Sequence, residues 1–267
     1  LYWACQRLAA IFTPFNWRAT ADDVAFVLRD ADPRLIAFDD AAGDSVLAAL
    51  EGSGISNDVL ISAGGGLPGT SFADLLSSDP VTGPAGAEDN EICLMLYTSG
   101  TTGRPKGVPR SHRAERTAAA SVIAHLRYQF GDSALGVMPL FHTMGIRILL
   151  CTTMINGSLV NMRGFNAVEV LQLIEAEKIN SLFLVPTMFH DMLGHESFAA
   201  TDVSSVRNVA YAGMSMTSEL ERRCIDLLHP EVLANYYGSS EIFTFTVCDH
   251  LDKKPGTAGW PGINQMI

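Results

Sequence analysis

From residue 11 to residue 248 the chain alternates short runs rich in β-branched and aromatic residues with longer stretches whose apolar positions recur at helical spacing. Strands separated by helices pair in parallel, because each crossover needs a helix that returns the chain across one face of the sheet. The candidate strands are residues 11–15, 34–38, 58–61, 92–98, 134–138, 158–162, 181–185, 208–212, 232–237 and 243–248. Among the helical stretches, 20–30 places Val24, Val27 and Leu28 on one face with Thr20 in capping position. Residues 166–178 carry Val170, Leu171 and Ile174 on one stripe with Glu175 and Glu177 outside it, and 216–228 opens on the cap candidates Thr217 and Ser218. The expected fold is α/β, with parallel-type sheets flanked by helices.

With 267 residues the chain can build one large domain or two smaller ones. Its net charge is −11 and its 18 Lys and Arg are scattered, which argues against a surface that grips nucleic-acid phosphates. Cys5, Cys93, Cys151, Cys224 and Cys248 lie far apart, mostly in apolar runs and without CxxC spacing. They read as buried free thiols in a reducing compartment. No apolar stretch reaches the roughly 18 residues of a membrane span, and a cytoplasmic location is expected. Residues 77–90, rich in Pro, Gly and Asp, read as a surface connection within one domain rather than a boundary. The chain starts at Leu1 and stops at Ile267 in an apolar-leaning stretch, so a piece of a longer protein is expected.

Residues 97–107 read YTSGTTGRPKG, directly after the apolar run 92–96. Such a segment is either a long solvated turn or a surface built to hold something. Backbone N–H groups around Gly100, Gly103 and Gly107, the hydroxyls of Thr98, Ser99, Thr101 and Thr102, and the cation of Lys106 would suit a polyphosphate. It is not a Walker loop, since Pro105 precedes the lysine and Gly107 follows it. A helix is expected from Ser111 onward, through Ala119, Val122 and Leu126.

The string 97–108 resembles the phosphate-binding signature of the adenylate-forming (AMP-binding) superfamily, which includes acyl-CoA and aryl-CoA ligases, the adenylation domains of peptide synthetases and beetle luciferases. Further segments resemble its motifs in the right order: PLFHTMG at 139–145, YAGMSM at 211–216, YYGSSE at 236–241 and GTAGWPG at 256–262. The likeness spans nearly the whole chain and is greatest to aryl-CoA and medium-chain acyl-CoA ligases such as 4-chlorobenzoate:CoA ligase. It implies the large N-terminal domain of such an enzyme, with two sheets in a layered αβαβα arrangement and the small C-terminal domain absent. On that pattern residues 1–130 form a first α/β subdomain with the phosphate loop, 131–250 a second with the acyl pocket, and 251–267 the start of a distal β subdomain.

The resemblance also implies roles. Thr98, Ser99, Gly100, Thr101, Thr102, Gly103 and Lys106 would hold the pyrophosphoryl end of ATP. Gly213, Met214, Tyr237, Gly238, Ser239 and Ser240 would form the rest of the nucleotide site, Tyr237 stacking on adenine. Ser240 stands where the family usually has threonine, so a hydroxyl is kept. Glu241 would be the metal residue, holding Mg²⁺ together with the phosphates. His142 would stand between the acyl pocket and the attacked carboxylate, and Val122, Met144, Ala212, Tyr236 and Phe243 would line that pocket. Lys106, His142 and Glu241 are therefore the expected catalytic groups. Each has a plainer alternative: a solvated lysine, an ordinary histidine, a strand-end glutamate.

No acid follows Phe141 to pair with an α-ammonium, so the resemblance favours a simple aryl or short- to medium-chain carboxylic acid over an amino acid. The implied activity is ATP- and Mg²⁺-dependent formation of an acyl-AMP and pyrophosphate, then of a thioester with coenzyme A. Alternatives are transfer to a carrier protein, or nucleotide and acyl binding without turnover, because the family's ribose-binding Asp, hinge and C-terminal lysine would lie beyond residue 267. A homodimer is compatible with the pattern. Arg147, inside an apolar helix, could meet a polar group on the substrate, but snorkelling to the surface is the expectation.

Overall fold

The computed structural model describes residues 1–83, 86–99, 104–249, 251 and 253–266. The chain divides into two compact units, 1–109 and 110–267.

In the first unit, helices α1 (Tyr2–Arg7) and α2 (Ala21–Ala31) precede strand β1 (Ile36–Phe38). Thr20 caps α2 as its position predicts, accepting a hydrogen bond from the Asp23 amide. Helix α3 (Gly43–Leu50) leads to β2 (Leu60–Ser62) and β3 (Thr70–Ser71), and the three strands form a parallel sheet in the order β1-β2-β3. Val24, Ile36, Phe38, Val46, Ala49 and Leu60 make its core. Helix α4 (Phe72–Leu76) follows. The expected strand at 11–15 is reduced to a single bridge, Phe12 to Leu94, since Pro14 interrupts the run and can donate nothing to a ladder.

Strands β4 (Ile92–Ser99) and β5 (Pro105–Ser111) form a separate two-stranded sheet. Sequence reading treats residues 99–110 as loop, whereas 105–111 are extended. Proline is tolerated as the first residue of a strand. At Gly107 an added Cβ would stand 2.9 Å from the Met95 sulfur, so the glycine admits a neighbouring side chain rather than loosening the backbone.

The second unit opens on α5 (His112–His125), capped by the Ser111 hydroxyl, and is built on a seven-stranded sheet. In chain order its elements are β6 (Ser133–Gly136), α6 (Thr143–Met154), β7 (Ser158–Asn161), α7 (Ala167–Ala176), β8 (Ser181–Leu184), α8 (Pro186–Gly194), β9 (Asn208–Ala212), α9 (Ser218–Leu228), β10 (Val232–Tyr237), β11 (Thr246–Cys248) and β12 (Trp260–Pro261). The order across the sheet is β12-β11-β10-β9-β8-β6-β7. Strands β6 to β10 are parallel, and β11 and β12 add an antiparallel edge.

Period-two alternation separates two faces. Leu182, Leu184, Val209, Tyr211 and Leu233 point to one side, against Val170, Leu171 and Ile174 of α7, Phe189 and Met192 of α8, and Leu220 and Cys224 of α9. Phe183 and Tyr236 point to the other, where His125 of α5 lies against Tyr236 and Arg147 of α6 lies over Phe243. The topology accounts for the division. The chain leaves β6 to one side for β7 and then returns past β6 to β8, so right-handed crossovers in opposite directions put α6 on one face and α7 to α9 on the other.

The Thr217 hydroxyl accepts from the Leu220 amide at the start of α9. Thr217→Ala is expected to lower stability by about 1 kcal/mol in a urea titration. Among the described residues no helix is long and apolar enough to cross a membrane, and all five cysteines are free thiols, four of them buried.

Candidate functional site

In an open parallel sheet, ligands gather where the chain leaves the carboxyl ends of the strands, at the point where the winding reverses. Here the reversal lies between β6 and β8. The segment after β6 carries PLFH, with His142 as the residue preceding α6. The segment after β9 carries Gly213 and Met214, and the segment after β10 carries Gly238, Ser239, Ser240 and Glu241. Ala212 pairs with Tyr236 in the register of β9 and β10, so these two exits are adjacent. A Cβ on Gly213 would meet Val185, just beyond β8, at 3.6 Å, which brings the β8 exit into the same neighbourhood.

At these exits the predicted residues divide by exposure. Tyr237 is 59% exposed and Met214 53% exposed, and Glu241 is exposed too. Tyr237 rests on Phe245, with ring centroids 5.7 Å apart. Tyr236 faces the opposite way into the sheet face, between Phe183 at 5.2 Å and Phe243 at 6.0 Å. Val122, Met144, Tyr236 and Phe243 are all buried, and Ala212 is partly buried. Among the described residues the buried Tyr236 hydroxyl has no hydrogen-bond partner, and burial pushes its pKa well above the ordinary tyrosine value.

Gly213 adopts φ +86°, a conformation that favours glycine. A Cβ on Gly238 would fall 1.9 Å from the Phe243 carbonyl oxygen, so the backbone itself closes on this glycine. The turn is fastened by the Ser239 amide donating to the Ile242 carbonyl at 2.9 Å and the Phe245 amide donating to the Tyr237 carbonyl at 2.8 Å.

The His142 ring packs on Phe141, with centroids 4.6 Å apart, and keeps substantial exposure. Its partial burial lowers its pKa from the ordinary 6.5. The imidazole is thus neutral at pH 7, and an NMR titration should place its midpoint below 6.5. Because the folded value is the lower one, this group takes nothing from stability above pH 6.5. As pH falls from there toward the folded value, the unfolded chain binds the proton first and stability declines.

In the first unit, Tyr97 donates its hydroxyl to Asp30 at 2.6 Å, tying β4 to α2, and Arg104 lies over Phe26. Thr98 is partly buried and Lys106 exposed on β5. Gly100, Thr101, Thr102 and Gly103 lie outside the described residues, as does the side chain of Ser99.

Arg147 corrects its sequence-based expectation. It does not snorkel: it is 0% exposed, the largest fully buried side chain among the described residues. One guanidinium nitrogen donates to the Glu115 main-chain carbonyl at 2.6 Å and another to the Glu115 carboxylate at 3.1 Å. Arg110 meets the second carboxylate oxygen at 2.9 Å and donates to the Ser240 carbonyl at 2.8 Å. Sequence reading missed Arg110 and Glu115. A signal was present for the glutamate, which stands four residues before Ala119 on the apolar stripe of α5.

The fold defines an α/β protein whose 139–145, 211–216 and 236–241 segments leave the carboxyl ends of parallel strands beside a topological switch point. The chain belongs to the AMP-binding enzyme family, whose model matches residues 1–267. It is 31% identical over 274 residues to the fatty acid (acyl-carrier-protein) ligase ScoC of Streptomyces coeruleorubidus, covering 100% of this chain and 50% of that one. To the feruloyl-CoA synthase of an Amycolatopsis species it is 28% identical over 264 residues, covering 97% and 51%. The chain therefore spans about half the length of the curated relatives it matches. Among solved structures, a putative long-chain-fatty-acid CoA ligase from Rhodopseudomonas palustris superposes with TM-score 0.85 at 26% identity, over 98% of this chain and 65% of that one. The inhibitor-bound N-terminal domain of FACL13 from Mycobacterium tuberculosis has the same fold, with TM-score 0.87 at 24% identity, over 98% and 66%.

Proposed function

We propose that the protein carrying this chain is an acid-thiol ligase that joins a carboxylic acid to ATP, giving an acyl-AMP and pyrophosphate, and then transfers the acyl group to coenzyme A. The observation that carries this reading is the gathering of the 139–145, 211–216 and 236–241 segments at the carboxyl ends of parallel strands, in a chain matched throughout by the AMP-binding enzyme family.

Carboxylate attack on the α-phosphorus brings two anions together, so the site must supply positive charge and oriented donors. We assign the pyrophosphoryl end to Thr98, Ser99, Lys106 and the amides of 100–103, and the adenine to the exposed Tyr237 ring beside Gly213, Met214 and Gly238. Ser239 and Ser240 would face the phosphates. Neutral His142, next to the acyl pocket, would orient the attacking carboxylate without competing for it as a cation.

The residues present fit Mg²⁺ held chiefly by substrate. Among the described residues no three His, Cys, Asp or Glu gather as a metal cage, and Glu241 offers one exposed carboxylate. Mg²⁺ bound there would neutralise phosphate charge. The buried aromatic and apolar group of Val122, Met144, Tyr236 and Phe243 favours an aryl or short- to medium-chain acid. The likeness to a feruloyl-CoA synthase supports the same class of acid. The likeness to an acyl-carrier-protein ligase supports a second reading, with a carrier-protein thiol as the acceptor.

Incubating the complete natural protein with Mg·ATP and a mixed acid pool should give a mass-resolved acyl-adenylate of one acid class. No adenylate from any acid in the pool would overturn the assignment.

A further inference from the structure

Three charged side chains with no assigned role lie together inside the second unit. Arg147 is 0%, Glu115 3% and Arg110 6% exposed, and the two arginines take opposite oxygens of the one carboxylate. Removing three charges from water is costly. Apolar residues of similar volume would give equal or greater stability, so cohesion alone does not explain the cluster. Its contacts indicate what else it does. Arg110 reaches across 130 positions in the sequence to donate to the Ser240 carbonyl, and the Arg147 guanidinium lies 4.7 Å from the centroid of the Phe243 ring. The cluster thus touches the 238–243 turn at two points, the Ser240 carbonyl within it and the Phe243 ring at its end.

We propose that Arg110, Glu115 and Arg147 are positioning residues that lock the 238–243 turn in the form that presents Ser240 and Glu241 to the nucleotide. The proposal rests on the adenylation reading for its functional half. The mechanism is geometric. The Glu115 main-chain and side-chain oxygens fix the Arg147 fork, and the carboxylate fixes Arg110 in turn. Held in this way, Arg110 sets the orientation of the peptide joining Ser240 to Glu241, and so the point from which the Glu241 side chain starts. The turn's own bonds tie Ser239 to Ile242 and Phe245 to Tyr237, on either side of that peptide. An arginine fork suits the task better than lysine, because its planar donors come in a fixed geometry with the charge always present.

The test compares the complete natural protein with the triple variant Arg110→Met, Glu115→Leu, Arg147→Met. The variant removes all three charges at similar volume and is expected to keep or raise the urea midpoint. Two readouts are decisive. Amide hydrogen exchange should accelerate for Ser239, Ile242 and Phe245 while the β9 amides stay unchanged. Carboxylate-dependent pyrophosphate exchange should fall in kcat by about ten- to a hundredfold, with KM for the acid within about twofold.

A folded triple variant with wild-type kcat, or with unchanged exchange at 238–245, would overturn the proposal. If the wild type exchanges no pyrophosphate, the adenylation reading fails, and amide exchange alone decides whether the cluster locks the turn. Should the triple variant fail to fold, Arg110→Met gives the same two readouts, because it leaves the neutral pair of Glu115 and Arg147 intact.

Discussion

Replacing Glu115 by alanine is expected to lower the unfolding free energy by about 3–5 kcal/mol, the range for breaking a buried ion pair by removing one partner. Both guanidiniums would remain in place, 0% and 6% exposed, without the carboxylate that forms an ion pair with each. Arg147 has no exposed surface of its own, enclosed with Glu115 on α5 and the Phe243 ring as neighbours. The triple apolar replacement leaves no charge behind and should not show this loss. An exposed pair behaves differently: Lys178 and Asp202 stand 62% and 44% exposed, and breaking their contact should leave the urea midpoint unmoved. A Glu115→Ala midpoint equal to wild type would show that the cluster is not a coupled unit.

The second large effect is on chemistry. Lys106→Ala in the complete protein should reduce kcat/KM for adenylation by about 10²- to 10³-fold, the usual cost of deleting one donor aimed at developing charge. Lys106 is exposed on β5, so its loss removes charge without opening a cavity. Stability should be unchanged, and the two measurements together separate a catalytic defect from a folding one. If pyrophosphate exchange were unaffected, Lys106 would be a solvated surface lysine and the role of its segment would need another basis.

The parallel sheet was legible because its signal is local. Strands 208–212 and 232–237 were expected with the bounds they have, and Thr20, Asn166 and Thr217 cap helices where short hydroxyl or amide side chains precede a periodic stretch. β5 was not legible, since Pro105 and Gly107 read as breakers until the neighbouring Met95 side chain explains the glycine. Nor was the ion cluster. Arg147 stood out as a charge in an apolar helix, but its partner lies 32 residues away and only the packing of α5 on α6 joins them. Local rules assign such a charge to solvent because they cannot see a buried partner of opposite sign. The site motifs were legible as strings, whereas their gathering at one end of the sheet follows from the order β9-β8-β6-β7, which no single segment encodes.

Carboxylate-dependent exchange of labelled pyrophosphate into ATP by the complete natural protein is the reaction that adenylation of an acid must support. Across a panel of aryl and short- to medium-chain acids, exchange should require both the acid and Mg²⁺, and it should collapse in Lys106→Ala and in Glu241→Gln. Exchange that no acid in the panel stimulates would contradict the assignment of this site to carboxylate adenylation.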